Sequence, residues 1–174
     1  MARPVDSALR GIAGVLLMLT VSAGAAITEI GPSGDLRSAA GALGAGDTLV
    51  LRGGHYRVET VRITAQGTPD QWVAIMAKSG ETPVLTSISS SHNLISIRSA
   101  AYVEIAGLVV DTTPEGVDPL KFEAGHTSHH VTIRDCEIRN YRGVGINSKG
   151  NDHHIVVRRC HIHHSIGGHG EGFY

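Results

Sequence analysis

His130-Val131-Thr132-Ile133-Arg134-Asp135-Cys136-Glu137-Ile138 recurs 24 residues later as His154-Ile155-Val156-Val157-Arg158-Arg159-Cys160-His161-Ile162. A looser copy, Tyr102-Val103-Glu104-Ile105-Ala106-Gly107-Leu108-Val109-Val110, precedes both. β-Branched residues alternate in every copy. A repeat of this length made of short strands is the signature of a chain wound into a solenoid. Between the copies lie Leu94-Ile95-Ser96-Ile97, Leu120-Lys121-Phe122-Glu123 and Val144-Gly145-Ile146-Asn147, a second column of strand-like segments. Gly170-Glu171-Gly172-Phe173-Tyr174 is placed to begin the next member of that column. Each coil is therefore expected to hold at least two strands. The strands lack the Asn-Gly or Asp-Gly turns of β-hairpins. The pattern predicts an all-β, right-handed parallel β-helix.

Period two sorts the side chains. Val131, Ile133, Cys136 and Ile138 face inward and are repeated by Ile155, Val157, Cys160 and Ile162. Outward residues then stack into two columns, Val109/Glu137/His161 and Asp111/Arg139/His163. Cys136 and Cys160 occupy equivalent places. Strand spacing would put them within disulfide reach, while parallel side chains favour an inward ladder of thiols.

Upstream the coils are less regular. Asp47–Leu51, Val61–Ile63, Trp72–Ala77 with Trp72 as a buried anchor, and Val84–Thr86 are expected strands, with Arg52–Tyr56 as a turn. Ser33 is positioned to N-cap a short helix running to about Leu43, with Asp35 in its first turn and Gly44 ending it. An N-terminal helix of this kind would cap the open first coil.

The first 25 residues have the form of an export signal: Arg3 and Arg10, an apolar run from Gly11 to Val21, and the small-residue site Ala23-Gly24-Ala25. Residues 26–174 are then one β-helix domain, secreted or periplasmic and free of the membrane after cleavage. The chain ends inside a coil, so the domain is expected to be incomplete at its C-terminus. Fifteen basic against 16 acidic residues leave a net charge of −1, and no basic stripe points to nucleic acid.

The outward columns carry the chemistry. Asp111, Glu137 and His161 are candidate substrate-binding residues. Arg139 and His163 are candidate catalytic residues, a guanidinium able to neutralise a carboxylate beside an imidazole able to take a proton. His169 and Glu171, in the glycine-rich segment Gly167–Gly172, join them as candidate proton-transfer groups. Eleven histidines, clustered after residue 125, offer imidazole for a transition metal around His153, His154, His161, His163 and His164. Asp111, Asp118 and Glu123 offer oxygen for calcium.

Residues 44–86 resemble the N-terminal region of the alginate lyase and chondroitinase B family of exported β-helices. The likeness rests on Gly46-Asp47-Thr48-Leu49-Val50-Leu51, Gly54-His55-Tyr56, Pro69, Trp72-Val73-Ala74-Ile75 and Gly80-Glu81-Thr82-Pro83-Val84. The resemblance implies export and polysaccharide lyase-like β-elimination on an acidic polysaccharide. The family's Lys and Arg catalysts and its calcium ligands lie on later coils, which this chain is expected to stop short of. Val131–Asn140 with Gly168-His169-Gly170 resembles the repeat of polygalacturonase-type hydrolases. However, Arg142-Gly143 stands where those enzymes carry paired aspartates, and an inverting hydrolase needs two carboxyl groups. A non-catalytic glycan-binding β-helix and a hydrolase are the alternatives to a lyase.

Overall fold

The computed structural model describes residues 24–113, 118–167 and 170–173. Strands form where β-branched residues alternate, and they wind as follows. β1 (Ile27–Ile30) and α1 (Leu36–Gly41) open the chain. Four coils of three strands follow. The first is β2 (Thr48–Leu51), β3 (Gly54–Val58) and β4 (Val61–Ile63). The second is β5 (Val73–Ala77), β6 (Pro83–Ser87) and β7 (Ile95–Ile97). The third is β8 (Ala101–Ala106), β9 (Val109–Asp111) and β10 (Leu120–Phe122). The fourth is β11 (His129–Arg134), β12 (Glu137–Tyr141) and β13 (Ile146–Ser148). β14 (His153–Arg158) and β15 (His161–Ser165) begin a fifth.

Equivalent strands pair in parallel to make three sheets. The first sheet runs β1-β2-β5-β8-β11-β14, the second β3-β6-β9-β12-β15 and the third β4-β7-β10-β13. Phe173 bridges to Ile146 in parallel, so the fifth coil does turn back onto the third sheet at the position read from the sequence.

The core is a set of ladders. Val103, Val131 and Ile155 stack in register, as do Ile105, Ile133 and Val157. On the inner coils these side chains are completely buried, and Ile155 and Val157 on the fifth coil pack partly buried against them. Each such apolar side chain contributes about 1.5–3 kcal/mol on leaving water. Cys136 and Cys160 are free thiols within this ladder system, the first buried and the second half-buried. Each points its sulfur at a carbonyl one coil earlier, Cys136 at Ile105 O (3.9 Å) and Cys160 at Ile133 O (3.6 Å).

Left-handed residues also stack. Gly107, Asp135 and Arg159, with φ of 72°, 55° and 52°, turn the chain from the first sheet to the second on successive coils. Asp135 and Arg159 tolerate this conformation while joined by a two-pronged ion pair, 2.6 and 2.8 Å. Tyr102, His130 and His154 form a second column, at φ of 52°, 53° and 55°. Their rings stack at centroid separations of 4.5 and 4.4 Å. Burial and the neighbouring imidazoles of His154, His129 and His153 lower the pKa of His130.

Three local expectations are corrected. Asp35, rather than Ser33, is the N-cap of α1, its carboxylate accepting from Ser38 N (3.0 Å), and the helix ends at Gly41. Ser33 loses because Asp35 is the residue three before a free helical amide. Residues 54–58 are a strand, with Tyr56 buried and its hydroxyl donating to Ile30 O and Arg52 O. Trp72 lies before β5, more than a third exposed, edge-on to Tyr102 at 5.6 Å. Val73 and Ile75 take the inward positions instead.

No helix among the described residues is long and apolar enough to cross a membrane. The export signal expected over residues 1–25 lies almost wholly outside the described residues.

Gly107 is the one glycine in its left-handed column, and a Cβ there would meet Ala77 Cβ at 3.1 Å. Gly107→Ala is expected to lower unfolding free energy by about 1–2 kcal/mol, read as a shift of the urea midpoint with unchanged slope.

Candidate functional site

The second sheet brings the predicted stripe together. Val109, Glu137 and His161 are register partners, and so are Asp111, Arg139 and His163. The columns continue downward through Val84 and His55, and through Thr86 and Arg57. Alternation puts all of these on the outer side of the sheet.

Within the stripe, charges are paired along the stack. Arg139 Nε donates to Asp111 Oδ2 (2.8 Å), and its Nη1 donates to Glu137 Oε1 (2.7 Å). His163 Nε2 lies 3.1 Å from the same Glu137 oxygen. Asp111 also accepts from Asn140 Nδ2 (3.0 Å) and from the Thr113 amide (3.0 Å). Burial pushes the Asp111 carboxyl up, but the donors Asn140, Thr113 and Arg139 outweigh it and leave its pKa lowered. The hydrogen bond from Arg139 lowers the pKa of Glu137, and Asp111 followed by Glu137 raises that of Arg139. The His161 and His163 rings stack at 4.0 Å, and His163 Nδ1 meets His164 Nδ1.

This geometry sets what the stripe can do. A His held by a carboxylate has a fixed orientation and presents one nitrogen for proton transfer. His161, exposed and outermost, is the imidazole most open to a ligand. The guanidinium has already committed its Nε and Nη1 edges to two carboxylates, and those carboxylates leave the trio Asp111/Glu137/Arg139 at net −1. His169 lies outside the described residues. Glu171 is exposed, and its carbonyl accepts from the Gly145 amide (2.9 Å) at the start of the third sheet's fifth-coil segment. Among the described residues it makes no side-chain contact with the stripe.

The oxygen donors considered for calcium are dispersed. Asp111 is held as above. Asp118 accepts from the Val144 amide and Asn147 Nδ2, both at 3.0 Å. Glu123 accepts from Ser96 Oγ (2.9 Å) and Asn93 Nδ2 (3.1 Å). Among the described residues, no three His, Cys, Asp or Glu side chains come together as a metal cluster.

A second face was not found from the sequence. On the outer side of the third sheet Arg62, Ser96, Lys121 and Asn147 are register partners. The ladder continues through Arg98, Glu123 and Lys149, whose amides bond to Ile63 O, Ile97 O and Phe122 O. These columns hold four cations, Arg62, Arg98, Lys121 and Lys149, against the single carboxylate of Glu123. Glu123 is 3.9 Å from Arg98 and 3.8 Å from Lys121. Among the described residues, Arg62 has no carboxylate within ion-pair range. The face was hidden in the sequence because its members lie at unequal intervals, set by loops of different length between the second and third sheets.

A family model described as the Pel9A-like right-handed β-helix region matches residues 19–173. The chain belongs to this family. Among solved structures this Pel9A-like chain is similar to pectate lyase Pel9A, with a TM-score of 0.54 at 15% identity, over 72% of this chain and 37% of that one. It is also similar to a mannuronic acid-specific polysaccharide family 6 lyase from human gut microbiota, with a TM-score of 0.53 at 19% identity, over 66% of this chain and 26% of that one. The chain thus spans well under half the length of either lyase. No curated protein matches its sequence. At these identities the likeness establishes the shared β-helix.

The lowered carboxyls of Asp111 and Glu137 make the stripe acid-sensitive. Both are stabilised as carboxylates in the folded state, so their contribution is complete above about pH 5 and is lost as pH falls below the ordinary carboxylate value near 4 and through their lowered folded-state values. Between pH 5 and pH 3 the urea midpoint is expected to fall, and to fall less in Arg139→Met, which removes the shared cation. Parallel pH profiles for the two proteins would refute this account.

Proposed function

We propose that this Pel9A-like chain is the scaffold of an exported, carbohydrate-active β-helix that engages an acidic polysaccharide and acts on it by lyase-like β-elimination. The supporting observation is the third sheet's outer face, where each of the four coils contributes one cation, Arg62 and Lys121 in one column and Arg98 and Lys149 in the next, with Glu123 between the latter two. Parallel stacking spaces them by about 4.8 Å per coil, so they present a line of positive charge to a linear polyanion. The lyase neighbours and the family likeness favour a uronate-containing glycan and elimination over hydrolysis. Glycosidase chemistry would need a carboxyl pair, and the second-sheet stripe instead pairs its carboxylates with Arg139.

In this reading the third-sheet cations hold the polyanion, and at the second-sheet stripe Arg139 is the guanidinium that would neutralise a uronate carboxylate and so acidify the adjacent proton. An imidazole fixed by Glu137, that of His163, with His161 beside it, is the base candidate on the second sheet. Arg139 holds that carboxylate in place, and His169 and Glu171 remain candidates for proton return to the leaving oxygen. Non-catalytic glycan binding is the second reading. It is favoured by one specific observation: Arg139, the cation of the proposed catalytic stripe, is already shared by Asp111 and Glu137.

The chain is to be incubated with pectate, alginate and chondroitin while unsaturated-uronate absorbance is followed. The lyase reading expects product on at least one of them, with a loss of at least 100-fold in His163→Ala. Binding to an acidic glycan without any product would establish the second reading, and neither binding nor product would exclude both.

A further inference from the structure

Beside α1, at the first-coil end of the third sheet, lies a cavity of about 390 Å³. Asp35, Arg37, Ser38, Thr60, Arg62 and Thr64 line it. We propose that this cavity binds a carboxylate-bearing sugar unit, anchoring one end of an acidic polysaccharide laid along the third sheet. The inference rests on the proposed engagement of an acidic glycan and adds to it a place where the glycan ends.

Three observations carry it. The first is charge. Arg62 has no carboxylate partner among the described residues. Arg37 has only Glu59, at 3.7 Å with both side chains about half exposed, a weak surface pair that leaves guanidinium donors available. Two guanidinium groups at one cavity suit a carboxylate, which they can bind through paired N–H donors. Asp35 also lines the cavity: its carboxylate accepts from the Ser38 amide (3.0 Å) and Ser38 Oγ (2.6 Å) and its charge acts on Arg37, so the cation left uncompensated at the cavity is Arg62.

The second is an unmet hydrogen bond. Thr60 is buried, and its Oγ1 has no partner. A buried hydroxyl in that state is costly, and most such groups in folded proteins are satisfied by something. A sugar hydroxyl in the cavity is a suitable partner. The exposed hydroxyl of Thr64 adds a second donor and acceptor beside it.

The third is position. Arg62 is both a wall of the cavity and the first member of the column that continues through Ser96, Lys121 and Asn147. The cavity is thus the end of the basic track. Its volume lies near the lower end of the range for small-molecule sites, which suits a sugar unit or two and not a folded partner.

The test uses the whole chain, with oligogalacturonate and oligomannuronate as probes and their carboxyl-reduced forms as controls. Binding is measured by calorimetry for wild type, Arg62→Gln, Thr60→Val and Lys121→Gln, with thermal melts to verify folding. The cavity inference expects at least a tenfold weaker Kd in Arg62→Gln, a smaller loss in Thr60→Val, and shifts of the Thr60, Arg62 and Thr64 amide resonances on adding galacturonate alone. Oligouronate binding that Lys121→Gln weakens and Arg62→Gln leaves unchanged would overturn the cavity while sparing the acidic-glycan reading. No binding of any acidic oligomer by wild type would overturn both. Equal affinity for the reduced oligomers would overturn the carboxylate assignment.

Discussion

Everything in this protein depends on in-register parallel stacking. Each residue of a coil sits on its equivalent in the coil before, roughly 4.8 Å away, so any property placed at one position is multiplied along the axis. Apolar positions become ladders such as Val103/Val131/Ile155. Turn positions become columns of left-handed residues such as Gly107/Asp135/Arg159. Charged positions become lines of charge, and these must be compensated by neighbours on the stack or by something that is not part of the coil.

The two outer faces answer that requirement differently. On the second sheet, Asp111, Arg139 and Glu137 alternate sign and close on one another within 2.8 Å. Glu104, Arg134, Asp135 and Arg159 do the same at the edge of the first sheet, where Arg134 and Arg159 hold the Asp135 carboxyl far below its ordinary range. On the third sheet the described columns carry the cations Arg62, Arg98, Lys121 and Lys149, interrupted by Ser96, Asn147 and the carboxylate of Glu123, with Asp118 reaching Asn147. A stack of like charges at this spacing is unfavourable in itself. It is therefore the place where an external polyanion gains most.

The legible part of the structure follows from the same stacking. The 24-residue repeat gave the register, and the register gave the inward ladder, the Asp111/Arg139/His163 column and the return of Phe173 to the third sheet. Other features leave no periodic trace. Tyr102, His130 and His154 sit left-handed inside a strand because their rings stack, an interaction that alternation of β-branched residues does not encode. The pairing of Arg139 with both carboxylates depends on side-chain reach between coils. Irregular loop lengths broke the spacing of Arg62, Lys121 and their neighbours, so the basic face had no visible period although its strands stack as regularly as the others.

Compensation also bears on which face meets substrate and which does chemistry. Binding a uronate at the second-sheet stripe would require Arg139 to give up part of its contact with Asp111 or Glu137, exposing a carboxylate beside an incoming carboxylate. That repulsion opposes binding of an anion there. Protonated imidazoles would relieve the repulsion but would have no lone pair for the proton. On the third sheet Arg62 needs no rearrangement to receive an anion, whereas Arg98 and Lys121 already lie beside Glu123. Long-range attraction of a polyanion would accordingly come from the third sheet and weaken steeply with salt, whereas the imidazoles of His161 and His163 stand beside a trio that keeps a net negative charge.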